Sequence, residues 1–182
     1  MNTILYETER LLIRPTSTDD AQFIFELLNT PQWIANIGDR NIKTVQDAED
    51  YIAVKMLPQF KKLGFSNNTV IRKSDNKKIG TCGLYKRDGL ENIDIGFAFL
   101  PEFQKQGYAF EASKKLIEIG FLKFNITTIN AITTKENIAS QKLIKKLGFA
   151  YQKMVKIPNN DVALMLLSCV IPKKPTLFLR SH

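Results

Sequence analysis

Polar Thr8-Glu9-Arg10 gives way to the apolar run Leu11-Leu12-Ile13, and Thr8 to Pro15 reads as an opening strand stopped by proline. A helical spacing follows. Ser17, Thr18, Asp19 and Asp20 offer capping side chains, and Phe23/Leu27 and Ile24/Leu28 are spaced four apart, so a helix is expected to about Leu28. Thr30 to Lys43, with Pro31, Trp33 and Gly38, follows neither period and reads as irregular. Ala48, Tyr51, Ile52 and Met56 share one face of a second helix, Thr44 to about Leu63, which Pro58 is expected to kink or split.

Strand-like runs return at Asn68 to Lys73, Lys78 to Tyr85 and Ile93 to Leu100, joined by turns at Ser74-Asp75-Asn76 and Arg87-Asp88-Gly89. From Gly107 the pattern is helical again, with Ala109, Ala112, Leu116 and Ile119 on one face. Thr128 to Ile132 is a strand, and Asn137 to Leu147 a helix closed by Gly148. Phe149 to Ile157 and Asp161 to Ile171 form a hairpin around Pro158-Asn159-Asn160. The strand–helix–strand run after Ile93 requires a parallel pair and a crossover. The predicted class is therefore α/β with a mixed sheet, an antiparallel meander followed by a βαβ unit. One domain is expected over 1–172, with a loose tail at 173–182.

At 182 residues and 44% hydrophobic, the chain can bury one sizeable core. Glu7, Glu9 and Arg10 interrupt any early apolar run, and the longest later one, Val162 to Ile171, is too short to cross a bilayer. Cys82 and Cys169 sit in apolar strand-like surroundings, so neither a disulfide framework nor a metal site is expected and a cytoplasmic address is favoured. The net charge of +8 draws phosphate-bearing partners, but the lysines are scattered pairs rather than one block. Without a basic and aromatic platform, direct nucleic-acid binding is not expected.

The chemistry concentrates at Gln104, Lys105, Gln106, Gly107, Tyr108 and Ala109, a short loop between a strand and a helix. Backbone N–H groups leading into a helix N-terminus make an anion site, and glycine lets the anion approach closely. This Q-x-x-G-x-A pattern is similar to the pyrophosphate loop of the GNAT superfamily of acetyltransferases. Its flanks, IDIGFAF and LPEFQKQGYAFEA, resemble the Rim-type ribosomal-protein N-acetyltransferases. So do Asn137-Ile138-Ala139-Ser140, Lys146-Leu147-Gly148-Phe149 and the opening TERLLIRP, and the likeness runs over residues 7–170.

That resemblance implies a GNAT-like fold whose central strands splay apart. The backbone of Phe97, Ala98 and Phe99 would then hold the pantetheine arm of acetyl-CoA and stabilise the oxyanion, with the diphosphate on residues 104–109. Asn137 is both a helix cap and, by resemblance, a pantetheine contact. Ser140 is either the donor to the leaving thiolate or an ordinary helix serine, and Lys142, Lys145 and Lys146 either reach the ribose phosphate or are solvated. Asp94 matches the family's acidic residue but is one methylene shorter than its glutamate, so it acts as a general base or orients substrate or strand. Trp33 is a core residue or walls the acceptor site. Implied, then, is direct acetyl transfer to a primary amine, foremost a protein N-terminus such as that of a ribosomal protein, by a monomer or homodimer without a metal. Small-molecule amines (a polyamine, aminoglycoside or amino acid derivative) and a non-catalytic CoA-binding module are the alternatives.

Overall fold

The computed structural model describes residues 5–158 and 160–170. Its strands are β1 (Tyr6–Glu7), β2 (Leu11–Pro15), β3 (Asn67–Arg72), β4 (Lys77–Tyr85), β5 (Ile93–Phe99), β6 (Thr128–Thr133), β7 (Ala150–Val155) and β8 (Leu164–Val170). They form one sheet in the order β1-β2-β3-β4-β5-β6-β8-β7. Every neighbouring pair is antiparallel except β5–β6, as a meander followed by a crossover demands. The helices are α1 (Ala21–Leu28), α2 (Pro31–Asn36), α3 (Val45–Tyr51), α4 (Leu57–Leu63), α5 (Tyr108–Lys123) and α6 (Ile138–Lys146).

Two local expectations need correction, and a third, the splitting of the second helix near Pro58, holds. The opening strand is shorter than Thr8 to Pro15, because Thr8 turns the chain: its N–H donates to Leu11 O at 3.0 Å and its hydroxyl accepts from Leu11 N–H at 3.0 Å, folding β1 back on β2. Thr30 to Lys43 is not wholly irregular. The Thr30 hydroxyl accepts from Trp33 N–H at 3.3 Å and Pro31 occupies the first turn, which starts α2, a helix too short to display a period. The helix expected from Thr44 to Leu63 is interrupted by a π-helical segment, Ile52–Met56, just before Pro58 in the first turn of α4. The terminal hairpin forms as expected, yet β8 is inserted between β6 and β7. Asn159, the tail 173–182 and the last residues of the 1–172 domain lie outside the described residues.

Two cores flank the sheet. On one face α5 packs over Leu11, Ile13, Cys82, Leu84 and Ile95, with Leu116 of α5 almost fully buried. A second cluster joins α1 and α3 through Ile24, Leu27, Ala48 and Ile52. A buried polar knot binds the α1 end to the sheet. The carboxylate of Asp20, with no exposure, accepts from Arg14 at 2.7 and 2.8 Å, from Thr69 Oγ1 at 2.9 Å and from Ser17 N–H at 3.0 Å, and meets Lys78 Nζ at 2.7 Å. Burial alone would raise the Asp20 pKa, but the Arg14, Lys78 and Ser17 donors outweigh it and hold the carboxyl well below the usual range.

A folded-state pKa below the unfolded value of about 3.9 stabilises the protein above that pH, and the contribution fades as the pH falls. Asp20→Asn is expected to lower stability by about 3 kcal/mol at pH 7, since it leaves buried cations short of a partner. Melting temperatures of both proteins between pH 7 and pH 2 check this: the gap should be constant above about pH 5 and narrow below about pH 4.

Candidate active site

Strands β5 and β6 are paired only at Ile93–Ile129 and Asp94–Asn130; beyond that point they part. Leu100 N–H donates to Ile79 O at 3.0 Å, which sets the alternation along the β4–β5 ladder. Asp94, Gly96 and Ala98 exchange backbone bonds with β4, so Ile93 and Ile95 N–H serve the short pairing with β6, and the N–H and C=O groups of Phe97 and Phe99 face the gap left where β6 departs. One of these is taken, since Gln104 Nε2 donates to Phe99 O at 2.9 Å.

The gap opens into a cavity of about 510 Å³. One wall is Phe97, Ala98 and Phe99 of β5. Another is Phe103 to Lys105 with Gly107 to Phe110, and a third is Asn137, Ala139, Ser140, Leu143 and Lys146 of α6 and its cap. The last is Leu27 with Thr30, Gln32, Trp33, Asn36 and Ile37 around α2. Ten of the cofactor residues expected from sequence thus meet at one cavity with Trp33. Leu27, Phe103, Phe110 and Leu143 were not foreseen, because an apolar wall residue carries the same sequence signal as a core residue.

The loop has the geometry of an anion cradle. Lys105 and Gly107 both adopt left-handed backbone, at φ 59 and 84°, and Gly107 caps α5. The N–H groups of Lys105 to Phe110 have no hydrogen-bond partner among the described residues. Six such donors at the positive end of a sixteen-residue helix favour a multiply charged anion. Gln106 departs from expectation: it does not line the cavity, because its amide donates to Glu102 O at 2.6 Å.

Asn137 caps α6, its Oδ1 accepting from Ser140 N–H at 3.0 Å, which leaves its amide N–H₂ free beside the cavity. Lys146 lines the cavity with Nζ 4.6 Å from the Phe110 ring centre; Lys142 and Lys145 are exposed and do not. Trp33 Nε1 is shut off from solvent without a partner, the sole such side-chain atom among the described residues. Cys82 is fully buried and its thiol pushed up to about 12 by that burial, so it serves the core.

Asp94 does not line the cavity either. It is 1% exposed, stands three residues from Phe97, roughly 10 Å along the strand, and holds Arg87 through three contacts of 3.2 Å. Burial pushes its carboxyl up, and Arg87 offsets only part of that. Among the described residues no carboxylate or imidazole lines the cavity, no cluster could hold a metal ion, and no helix is long and apolar enough to cross a membrane.

Comparison with known proteins agrees with this geometry. The family model described as "Acetyltransferase (GNAT) domain" matches residues 10–150. The chain is 30% identical to the uncharacterized N-acetyltransferase YnaD of Bacillus subtilis over 156 residues, 85% of this chain and 88% of that protein. A solved ribosomal-protein-S5-alanine acetyltransferase from Vibrio fischeri superposes with a TM-score of 0.78 at 21% identity, covering 94% of this chain and all of the other. RimL, a ribosomal L7/L12 alpha-N-protein acetyltransferase solved with coenzyme A, gives 0.78 at 12% identity, over 92% of this chain and 98% of the other. With its parted strands, its cradle of free amides and a family match over most of its length, the chain is a member of the GNAT family of acetyltransferases.

Proposed function

We propose that the protein transfers the acetyl group of acetyl-CoA to a protein N-terminal α-amine by direct attack. The carrying observation is that the unpartnered amides of five residues, Lys105 and Gly107 to Phe110, and the free edge of β5 open onto one cavity. Two proteins of the same fold are named for acetylating ribosomal proteins, which favours a protein acceptor.

The residues fit a diphosphate-bearing thioester. Acetyl-CoA, when bound, supplies an activated acyl carbon. The N–H groups of Lys105 to Phe110 hold the diphosphate, with Lys105 and Lys146 adding positive charge. Phe97 pairs its backbone with the amides of the arm, like an added strand, and its N–H holds negative charge developing on the acyl oxygen. The free amide of Asn137 binds the same arm, and Ser140 Oγ would give its proton to the departing sulfur while regaining one from the attacking nitrogen. Trp33 closes the acceptor side, where its buried indole N–H offers a donor to a carbonyl oxygen.

Protonation decides the class of amine. Only the neutral amine attacks, and Asp94 is too far along the strand for direct proton transfer, so we assign it with Arg87 to orienting β5. An amine must then reach the site already neutral. An α-amine, with pKa about 7.7–8.0, is neutral some 300 times more often near pH 7 than a lysine-type amine at about 10.4. The uncharged α2 wall offers no countercharge to a polycation.

Three outcomes follow. Calorimetry with CoA should show binding to the wild type and none to Gly107→Glu, whose side chain strains the left-handed backbone at 107 and starts 3.2 Å from Arg10 Nη2, displacing the loop amides; equal affinity would remove the loop from the site. At pH 7 an alanine-headed peptide should be acetylated at least about 100-fold faster than a blocked peptide bearing one lysine, or spermidine. Faster turnover of spermidine would shift the assignment to small amines. Asp94→Asn should cut kcat by a factor that stays constant from pH 6 to 9, and a loss that deepens as the pH falls would make Asp94 the base.

A further inference from the structure

Arg10 touches the phosphate loop from outside the cavity. It sits on the bend between β1 and β2, about a hundred residues from the loop in sequence. Its Nε donates to Glu111 Oε2 at 2.7 Å and its Nη1 to Gln106 O at 3.0 Å. The guanidinium lies 4.5 Å over the Tyr108 ring, and a Cβ built on Gly107 would come within 3.2 Å of Nη2. Glu111, in the first turn of α5, anchors the contact by also accepting from Thr8 Oγ1 at 2.6 Å and Arg10 N–H at 2.9 Å. Lys73, just past β3, lies beside the same bend: its backbone N–H donates to Arg10 O at 2.9 Å, and its Nζ reaches Thr8 O at 2.7 Å without touching the loop.

The consequence follows from peptide geometry. In a planar trans peptide the C=O of one residue and the N–H of the next point in opposite directions. Holding Gln106 O against Arg10 therefore aims Gly107 N–H away from Arg10. Gly107 lines the cavity and Arg10 does not, so that direction is toward the cavity. Left-handed backbone at Lys105 and Gly107 has a competitor, since a short exposed loop relaxes readily to other turns in which its donors scatter. Gln104 and Gln106 tie the loop to Phe99 O and Glu102 O on its strand side. Arg10 is the tie on the helix side.

We propose that Arg10 is a positioning residue for CoA binding, holding the peptide between Gln106 and Gly107 so that the loop amides converge on the diphosphate. The inference rests on the reading that residues 105–110 hold that diphosphate. Lysine cannot replace the arginine fully, because one ammonium does not span the carboxylate of Glu111 and the Gln106 carbonyl as a planar fork does.

The test compares wild type, Arg10→Ala, Arg10→Lys and, as a control on the same bend, Lys73→Ala. Calorimetry with CoA should give Arg10→Ala a Kd raised about tenfold, Arg10→Lys an intermediate value and Lys73→Ala the wild-type value. Melting temperatures should fall by no more than about 4 °C in any variant, as for an exposed ion pair. With an accepted peptide, Arg10→Ala should raise KM for acetyl-CoA while kcat at saturation stays within twofold. A CoA affinity of Arg10→Ala within twofold of wild type, an equal loss in Lys73→Ala, or a fall in kcat without a change in KM overturns the proposal. Wild type that fails to bind CoA overturns instead the reading on which it stands.

Discussion

The molecule turns on an unfinished ladder. β5 and β6 share two aligned residue pairs and then separate, so the backbone groups of Phe97 and Phe99 on that edge lack a strand to bond. Unpaired backbone polar groups are tolerated only where water or a ligand can reach them, and here the cavity provides that access. Its other walls can then be read as consequences. α5 starts at one mouth of the gap and presents free amides, while α6 and its asparagine cap stand at the far side. Closing the ladder would satisfy the strands and remove the site.

Polar side chains stand in one row across the sheet where the strands fork. Tyr85, Asp94, Asn130 and Ser168 stand in register on β4, β5, β6 and β8, and Ser168 Oγ donates to Asn130 Oδ1 at 2.8 Å. Arg87 supplies the charge that buried Asp94 requires, and its guanidinium lies 5.7 Å from the Tyr85 ring centre. A carboxylate with 1% exposure needs such a partner, because an isolated buried charge is costly. Asp94 therefore sits where the strands diverge, away from the cavity lining.

The loop before α5 is braced in a comparable way. Gln104 and Gln106 use their amides on backbone carbonyls within the strand-to-helix turn, and Arg10 reaches in from the far edge of the sheet. Loop side chains that sequence suggests as ligand contacts can therefore be scaffolding. Their role depends on which way each points, a property that a six-residue pattern does not encode.

The local pattern determined a great deal on its own. Alternation and helical spacing located the meander, α5, the α6 cap at Asn137 and the terminal hairpin, because local periodicity reflects burial on one face. Gly107 and the loop around it were legible because a left-handed cap before a helix is written in the residue type. Tertiary structure decided the rest. The parting of β5 from β6, the insertion of β8 between β6 and β7, the pairing of Asp94 with Arg87 and the reach of Arg10 to Gln106 are contacts between segments distant along the chain or turned by a loop. Sequence period records which face of an element is buried; it carries no record of what stands opposite that face, and that partner sets whether a polar residue binds, catalyses or braces.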